Sequence, residues 1–428
     1  MVAEMSIDSQ KLSRREFARL TAAASIAALT PSGCREVGSR GTTIRFWNGF
    51  TGPDGTTMLG IIRRFNAMHD DVQVTMQRVA WDTYYNKVFV AGLGGRAPEV
   101  FVVQVDHLER FIWGKLCAPV DPIINAIGAD EFDQNILEAA RRGTTTYAVP
   151  LDIHPIGCYY NRKLFADAGI SAPPTNRAQF IDVLHKLKSG SGAAQQWGFV
   201  YEWQRINLYS LVRQWGGDII APDLRTTIID SPQAIEAVNF GAQLIADGLV
   251  APIQNTNAMI GFRQGRVGMI FGGTFLLNEF RNQKDLDYAP AVTPVLGSEP
   301  GAWAGSHMMC LRNGMSEREQ FAAEKWVRFL SDNSLLWADA GQVPVRKRLR
   351  ETPAFKAMPV QSTFAEQIPY AKPMPSTTFT REYQIAFDSA CEAVLRQDRS
   401  AKAALSDAAK EIRNAAARFA SDAPGGVA

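Results

Sequence analysis

Short apolar strands alternate with helical patterns near the start of the chain, and this alternation constrains the fold more than any other feature. Residues 43–47, 71–76 and 98–103 have the apolar content of strands, while residues 58–68 and 83–93 repeat apolar side chains at helical spacing. A β-α-β-α-β order predicts an α/β fold with a parallel sheet and helices on its faces. Ligands of such sheets bind beyond the carboxyl ends of the strands.

Composition and charge narrow the classes of function. The 428 residues are 46% hydrophobic and 21% charged, which predicts globular domains with a sizeable core. Lys and Arg number 45 against 43 Asp and Glu, and the first forty residues hold six basic and four acidic residues. The net charge of +2 therefore belongs to that segment, and the balanced remainder argues against nucleic-acid binding. Five scattered His and five scattered Cys lack the spacing of a metal site or a disulfide scaffold, so we expect no metal and no cofactor.

Residues 1–34 have the pattern of an export signal. Ser13-Arg14-Arg15-Glu16-Phe17 precedes an uncharged run over residues 20–30, and the order resembles a twin-arginine signal. Cys34 follows Ser32-Gly33 and resembles a lipoprotein cleavage site, although Pro31 departs from the usual pattern. We expect lipidation of Cys34. The alternative is ordinary cleavage of the export signal near this position, without lipidation. No other uncharged apolar run reaches eighteen residues, so we expect a soluble mature protein on the extracytoplasmic side, periplasmic or held at the membrane by a lipid anchor.

The later part of the chain also alternates between strand and helix patterns. Residues 156–160, 267–271 and 306–311 read as strands, and residues 232–246 as a helix. The apolar residues between 405 and 419 repeat at spacings of four and three, which predicts an amphipathic helix docked on a core.

Motifs for catalysis or cofactor binding are mostly absent. Residues 92–97 fit G-x-G-x-x-A, but they follow a helical pattern instead of a strand, so the dinucleotide interpretation fails its context test. There is no P-loop, G-x-S-x-G, H-E-x-x-H or C-x-x-C. A pair of glycosidase carboxylates depends on spatial separation, which the sequence does not give. We therefore expect a protein that is not an enzyme, with an exported carbohydrate-active enzyme as the alternative.

Aromatic residues stand beside polar ones in predicted loops. A flat ring packs on the apolar C–H face of a sugar, while Asp, Asn, Gln and Arg bond its hydroxyl groups. The alternative for each ring is an ordinary core position. Trp203 is taken from this pattern as a candidate ligand contact. The pattern occurs at Trp47-Asn48, Trp81-Asp82, Tyr201-Glu202-Trp203-Gln204-Arg205, Trp215-Gly216-Gly217-Asp218 and Trp303-Ala304-Gly305-Ser306.

Four stretches resemble the extracellular solute-binding proteins of bacterial ABC importers, in the cluster that includes maltose-binding proteins. The resemblance covers about residues 42–420. Residues 158–170 with Pro173-Pro174-Thr175 are similar to the family's Y-Y-N-x-x-L-F-x-x-A-G segment and the P-P-x-T that follows it. The other stretches are residues 44–54, residues 265–275, and residues 322–330 with 341–346.

The resemblance implies a two-lobed α/β periplasmic-binding-protein fold of type II, with the ligand in a cleft between the lobes. Lobe one would comprise residues 42–150 and 303–342, and lobe two residues 151–302 and 343–420. Phe275 stands where the family has Trp; a Phe ring stacks but donates no hydrogen bond. The implied ligand contacts are Trp47, Asn48, Asp54, Gln104, Asp106, Asp152, His154, Phe275, Trp303, Gly305 and Tyr383.

The implied function is capture of a sugar or oligosaccharide by hinge closure and delivery to the membrane permease of an ABC importer. We expect a monomer whose partners are the saccharide and the permease subunits. One alternative is a glycerol-phosphate ligand, with Arg205 and Arg381 supplying a basic cleft. The basic run at residues 346–350 is interpreted as an exposed face, with permease docking as the alternative. A further alternative is a surface or scaffold protein that binds no sugar.

Overall fold

The computed structural model describes residues 41–253 and 257–421, so the predicted export signal and the predicted lipidation site Cys34 lie outside the described residues. Two main sheets organise this part of the chain. Within it, no helix combines the length and apolar character needed to cross a membrane. Its four cysteines, 117, 158, 310 and 391, are buried free thiols.

The first sheet is the one predicted from the N-terminal alternation. Its strand order is β2-β1-β3-β12-β6, with β1, β2 and β3 parallel and β12 antiparallel to β3 and β6. Its strands are β1 (Thr42–Asn48), β2 (Val72–Arg78), β3 (Val100–Gln104), β6 (Val149–Pro150) and β12 (His307–Leu311), and the hairpin β4 (Arg141–Arg142) and β5 (Thr145–Thr146) lies outside it.

The second sheet is built around one long strand. Its order is β14-β11-β7-β9-β8, and β10 and β13 also pair with β7. The ten-residue β7 is longer than predicted because successive partners pair along its whole length: β13 and β11 over residues 152–155, then β9 and β10 over residues 156–161. Its strands are β7 (Asp152–Asn161), β8 (Trp197–Phe199), β9 (Val267–Gly273), β10 (Tyr288–Ala291), β11 (Ala302–Gly305), β13 (Val343–Pro344) and β14 (Ala371–Lys372).

Helices cover both sheets. In the first half of the chain they are α1 (Pro53–Met68), α2 (Trp81–Leu93), α3 (Leu108–Trp113), α4 (Asp121–Ile127), α5 (Gln134–Ala139), α6 (Arg162–Asp167), α7 (Arg177–Leu187) and α8 (Gln204–Gln214). In the second half they are α9 (Pro232–Ala246), α10 (Ala258–Arg263), α11 (Leu277–Arg281), α12 (Glu317–Asp332), α13 (Ser334–Trp337), α14 (Lys347–Arg350), α15 (Pro353–Lys356), α16 (Pro359–Ala365), α17 (Thr380–Leu395) and α18 (Ala401–Ser421).

Local sequence signals fix several helix ends. Ser316 caps α12 with a reciprocal capping box to Glu319, and Ser231 caps α9, which begins with Pro232. Gly94 ends α2, so the glycine-rich stretch at residues 92–97 terminates a helix and does not follow a strand. The C-terminal α18 buries Leu405, Ala409 and Ile412 on one face, which matches the predicted amphipathic pattern.

The chain crosses between the two sheets three times, and these crossings lie close together. It leaves the first sheet after β6 and enters β7 through Leu151, returns from β11 to β12 through Ser306, and crosses again through Gly341 and Gln342 into β13. Asp152 in β7 pairs with Pro344 of β13, so the first and third crossings are neighbours. The predicted lobe boundaries at residues 150/151, 302/303 and 342/343 stay a prediction.

The basic run after the third crossing faces a set of acidic side chains. Arg346 is buried and bonds Glu131, Asp332 and the hydroxyl of Ser331 at 3.1 Å each. Arg350 bonds Asp133 at 2.8 Å. These acidic partners lie on elements that pack beside the first sheet. The ion pairs of Arg346 and Arg350 therefore hold the segment after β13 against the first sheet's helices. The interpretation of the whole run as an exposed face was therefore wrong for Arg346 and Arg350.

Candidate functional site

Asp152 is the centre of a buried hydrogen-bond cluster where the three crossings meet. Its carboxylate is 0% exposed and accepts four N–H groups. Oδ1 accepts the backbone N–H of His307 at 2.9 Å and Nδ1 of His154 at 3.3 Å. Oδ2 accepts Nδ1 of His307 and Nε1 of Trp337, both at 2.6 Å. We call Asp152, His154, His307 and Trp337 the crossover cluster; it joins residues that flank all three crossings.

The charge states in the crossover cluster follow from these contacts. Burial alone would raise the pKa of Asp152, but the charges and hydrogen bonds of His307 and His154 lower it overall, well below the usual range of a carboxyl group. Burial lowers the pKa of His154, and the neighbouring Asp152 opposes this only in part. An ionised Asp152 and a neutral His154 are therefore the states at neutral pH.

The tautomers of both histidines follow from the same geometry. A carboxylate only accepts hydrogen bonds, so each Nδ1 that contacts Asp152 carries the proton. Nε2 of His307 then accepts from the amide nitrogen of Gln104 at 3.0 Å. Nε2 of His154 is left as an acceptor beside the ring of Trp303.

The crossover cluster also contains the one group of metal-ligating side chains found in the described ranges. Asp152, His154 and His307 each offer one potential ligand atom, and these three atoms lie within 4.8 Å of one another. The four N–H donors on Asp152 use the lone pairs that a metal ion would need. The arrangement fits a hydrogen-bonded support better than a metal centre.

This geometry gives a pH-dependent stability with a definite sign. A His whose pKa is lowered in the folded state takes up its proton more readily when unfolded, so stability falls as pH drops below the unfolded value of about 6.5. We expect the free energy of unfolding to fall by up to about 1.4 kcal/mol per pH unit from this group. His154→Gln should flatten that part of the profile in urea unfolding between pH 7 and 5.

His107 provides the internal reference for this test, since burial lowers its pKa as well and the variant keeps it. The depressed pKa of Asp152 acts in a lower window: its contribution is present above about pH 4 and is lost as pH falls further. Identical slopes for both proteins between pH 7 and 5 would contradict the assignment.

A continuous row of rings runs from the first sheet, past the crossover cluster, to the second sheet. Neighbouring ring centres in the row lie between 4.0 and 6.4 Å apart. We call these residues the aromatic row. In order they are His107, Tyr85, Trp81, His307, His154, Trp303, Phe275 and Trp203, with Trp303 and Phe275 both adjoining His154.

One end of the aromatic row reaches the solvent, while the rings at the other end are half-buried. Phe275, in the turn after β9, is 37% exposed and meets Trp203 edge-on at 5.4 Å. Trp203 has the left-handed backbone angle φ of +45°, a strained conformation for a bulky residue that is concentrated at functional sites. At the other end, Trp81 and Tyr85 project from α2 and His107 follows β3.

Gly305 has a spatial role in the row. A Cβ atom at this position would lie 2.1 Å from Nε2 of His154 and 2.8 Å from the ring of Trp303. The missing side chain therefore lets the His154 ring lie against β11. Gly305 supports the arrangement of rings, and its predicted ligand contact stays a prediction.

The structure brings seven of the twelve predicted contacts into one connected group. These are Gln104, Asp152, His154, Trp203, Phe275, Trp303 and Gly305. Burial raises the pKa of the Asp54 carboxyl group. The N–H of Gly55 and the nearby His307 lower this pKa, but they offset the effect of burial only in part. Asp106 accepts a hydrogen bond from Gln384 at 2.7 Å.

Three predicted contacts lie apart from this group. Trp47 is half-buried with Lys87 Nζ 5.0 Å from its ring centre, and Asn48 is buried with Oδ1 accepting from Phe50. Tyr383 is fully buried and donates its hydroxyl to the carbonyl of Pro375. In this conformation Tyr383 offers no free group to a ligand.

Sequence reasoning missed five members of the site. Trp81 was noted beside Asp82 but not chosen, and Tyr85, His107, His307 and Trp337 were not among the predicted contacts. The spacing of Trp81 and Tyr85, one helical turn apart at the start of α2, was an available signal. His307 had no local signal, because its role depends on Asp152, 155 residues away.

Two α/β lobes, three crossings and a row of rings that reaches both lobes define a ligand-binding protein of the periplasmic-binding type. The family model described as "Bacterial extracellular solute-binding protein" matches residues 50–334, which is more than half of the chain. The chain belongs to this family. The predicted family and the two-lobed α/β fold are confirmed.

Individual relatives agree with this assignment. A putative binding protein of Brucella abortus (strain 2308) is 27% identical over 297 residues, covering 66% of this chain and 69% of that protein. The sugar-binding protein MalE from Xanthomonas citri superposes with a TM-score of 0.79 at 17% identity, over 88% of this chain and 98% of that one. The cyclic alpha-maltosyl-1,6-maltose binding protein from Arthrobacter globiformis gives 0.77 at 19% identity, over 88% and 100%. At these identities the structural likeness concerns the fold.

Proposed function

We propose that this protein is the extracytoplasmic solute-binding component of an ABC importer, and that it captures a sugar or oligosaccharide between its lobes. The observation that carries the proposal is the aromatic row, because it offers stacking faces on both lobes with polar atoms beside them. The similar proteins from Xanthomonas citri and Arthrobacter globiformis are named as binders of sugars, which supports the same ligand class here.

The proposed mechanism is closure without chemistry. A ligand that contacts rings on both lobes binds the closed arrangement more tightly and shifts the population towards it. The permease subunits then recognise the closed form, and the sugar is released unchanged. Asp152 is unsuited to acid–base catalysis, since its carboxylate is buried and already accepts four N–H groups.

The glycerol-phosphate alternative is less well supported. It assigned the basic cleft to Arg205 and Arg381, but Arg205 bonds Asp388 at 2.6 Å, so this pair is not free for a phosphate. The family is extracellular, and we further propose export by the twin-arginine signal, a lipid anchor on Cys34 and a monomeric state. Mass spectrometry of the membrane fraction, with Cys34→Ser as the comparison, tests the anchor.

A thermal-shift panel of mono- and oligosaccharides tests the proposed function. A ligand present at 100 times its dissociation constant adds about 2.7 kcal/mol to stability. We expect a subset of saccharides to raise the unfolding temperature, each recovered intact by chromatography. A flat response across the panel would contradict sugar binding, and consumption of the sugar would favour the enzyme alternative.

A further inference from the structure

A pocket lies along the first-lobe end of the aromatic row. It has a volume of about 270 Å³, near the lower end of the usual range of ligand pockets, roughly 300–1,000 Å³. Trp81, Tyr85 and His107 form one wall, with the Trp81 and Tyr85 rings 5.5 Å apart at 29° and the Tyr85 and His107 rings 4.0 Å apart at 18°. Because these rings stack on one another, they give the pocket an apolar aromatic wall against which the C–H groups of one sugar ring can pack.

Two guanidinium groups line the same pocket. Arg110 projects from α3, with its guanidinium carbon 4.7 Å from the ring centre of Phe89, and Arg381 lies in the first turn of α17. Neither forms an ion pair with a carboxylate among the residues that the structure describes. The helix α3 follows β3 of the first sheet, whereas α17 packs mainly on the helices of the second sheet and also contacts residues 105–107 after β3. Under the predicted lobe boundaries, the two guanidinium groups come from different lobes.

The carboxylates near this pocket either bond other residues of the protein or lie at the exposed edge of the pocket. Glu109 is bonded by Arg142, and Asp106 accepts from Gln384. Asp82 lines the pocket but is exposed, and its Oδ1 accepts the N–H of Thr83. Burial lowers the pKa of His107, so this ring adds no positive charge at neutral pH. The pocket lining thus has two cations against one exposed carboxylate.

We propose that this pocket binds an acidic sugar residue, with its ring on Trp81 and Tyr85 and its anionic group between Arg110 and Arg381. This inference rests on the proposed function and names the ligand class of the same site. A guanidinium group bonds a carboxylate or a phosphate with two parallel N–H···O contacts, so either a uronate or a sugar phosphate supplies the required chemistry. Under the predicted lobe boundaries the anion would also link the two lobes, since α3 falls in lobe one and α17 in lobe two.

Calorimetric titration of the full mature protein with matched ligands tests the inference. The probes are short oligomers of glucuronate, galacturonate, mannuronate and guluronate, the methyl ester of each, and hexose phosphates beside the free hexoses. The methyl ester keeps the stereochemistry and removes the charge. We expect at least one acid or phosphate to bind roughly 10–100-fold more tightly than its uncharged counterpart, as loss of a charge-assisted contact predicts.

Variants separate a specific site from general attraction. Arg110→Gln and Arg381→Gln should each remove most of the preference for the charged ligand, whereas Arg64→Gln, an exposed position on α1, should keep it. A phosphate preference without a uronate preference would support the pocket and identify the anion. Equal or tighter binding of neutral sugars would overturn this inference and leave the proposed function standing. Binding of no saccharide, charged or neutral, would overturn both.

Discussion

Replacing Asp152 with alanine is expected to lower the free energy of unfolding by about 3–5 kcal/mol, the usual cost of breaking a buried charged cluster. The variant leaves four N–H donors without their acceptor: the backbone N–H and Nδ1 of His307, Nδ1 of His154 and Nε1 of Trp337. Each buried donor without a partner costs about 1–3 kcal/mol. The measurement is the urea unfolding curve at pH 7.

The matched control is Asp71→Ala. Asp71 also forms an ion pair, with Lys325 at 2.7 Å, but it lies at the surface in solvent. Its unfolding midpoint should stay at the wild-type value. If the two substitutions shifted the curve equally, Asp152 would have no special role at the crossings.

The second large effect is expected at Phe275. Phe275→Ala should weaken binding of the saccharide found in the panel by about 2 kcal/mol, or roughly 30-fold, because it removes the exposed ring at the second-sheet end of the aromatic row. Stability should change little, since the ring is 37% exposed. Calorimetric titration gives the affinity, and urea unfolding confirms that the variant is folded.

Phe321→Ala is the control for this substitution. Phe321 lies on α12, is 63% exposed and makes none of the ring contacts that connect Phe275 to Trp203 and His154. Its variant should bind like the wild type. An affinity of Phe275→Ala within twofold of the control would remove Phe275 from the site.

The fold could be predicted from the sequence wherever it depends on local sequence signals. The alternation over residues 43–103 predicted β1 to β3 and the helices between them, and the residues of α9 agree with those expected. These elements depend on hydrophobic periodicity and on capping residues such as Ser231, which act over a few positions.

The site could be predicted only in part, because several of its residues meet through contacts that are distant in the sequence. Asp152 and His154 could be chosen because they follow the first crossing, but their partners His307 and Trp337 are 155 and 185 positions away in the chain. Tyr383 was chosen from the family resemblance alone, and in this conformation packing buries its ring and Pro375 accepts its hydroxyl group. Tertiary contacts of this kind leave no trace in a local pattern.

Small-angle X-ray scattering with and without the bound saccharide tests capture by closure most directly. We predict a smaller radius of gyration at saturation, reversed when the ligand is dialysed away, with the saccharide recovered chemically unchanged. An identical radius of gyration at saturating ligand would contradict closure of the two lobes around the sugar.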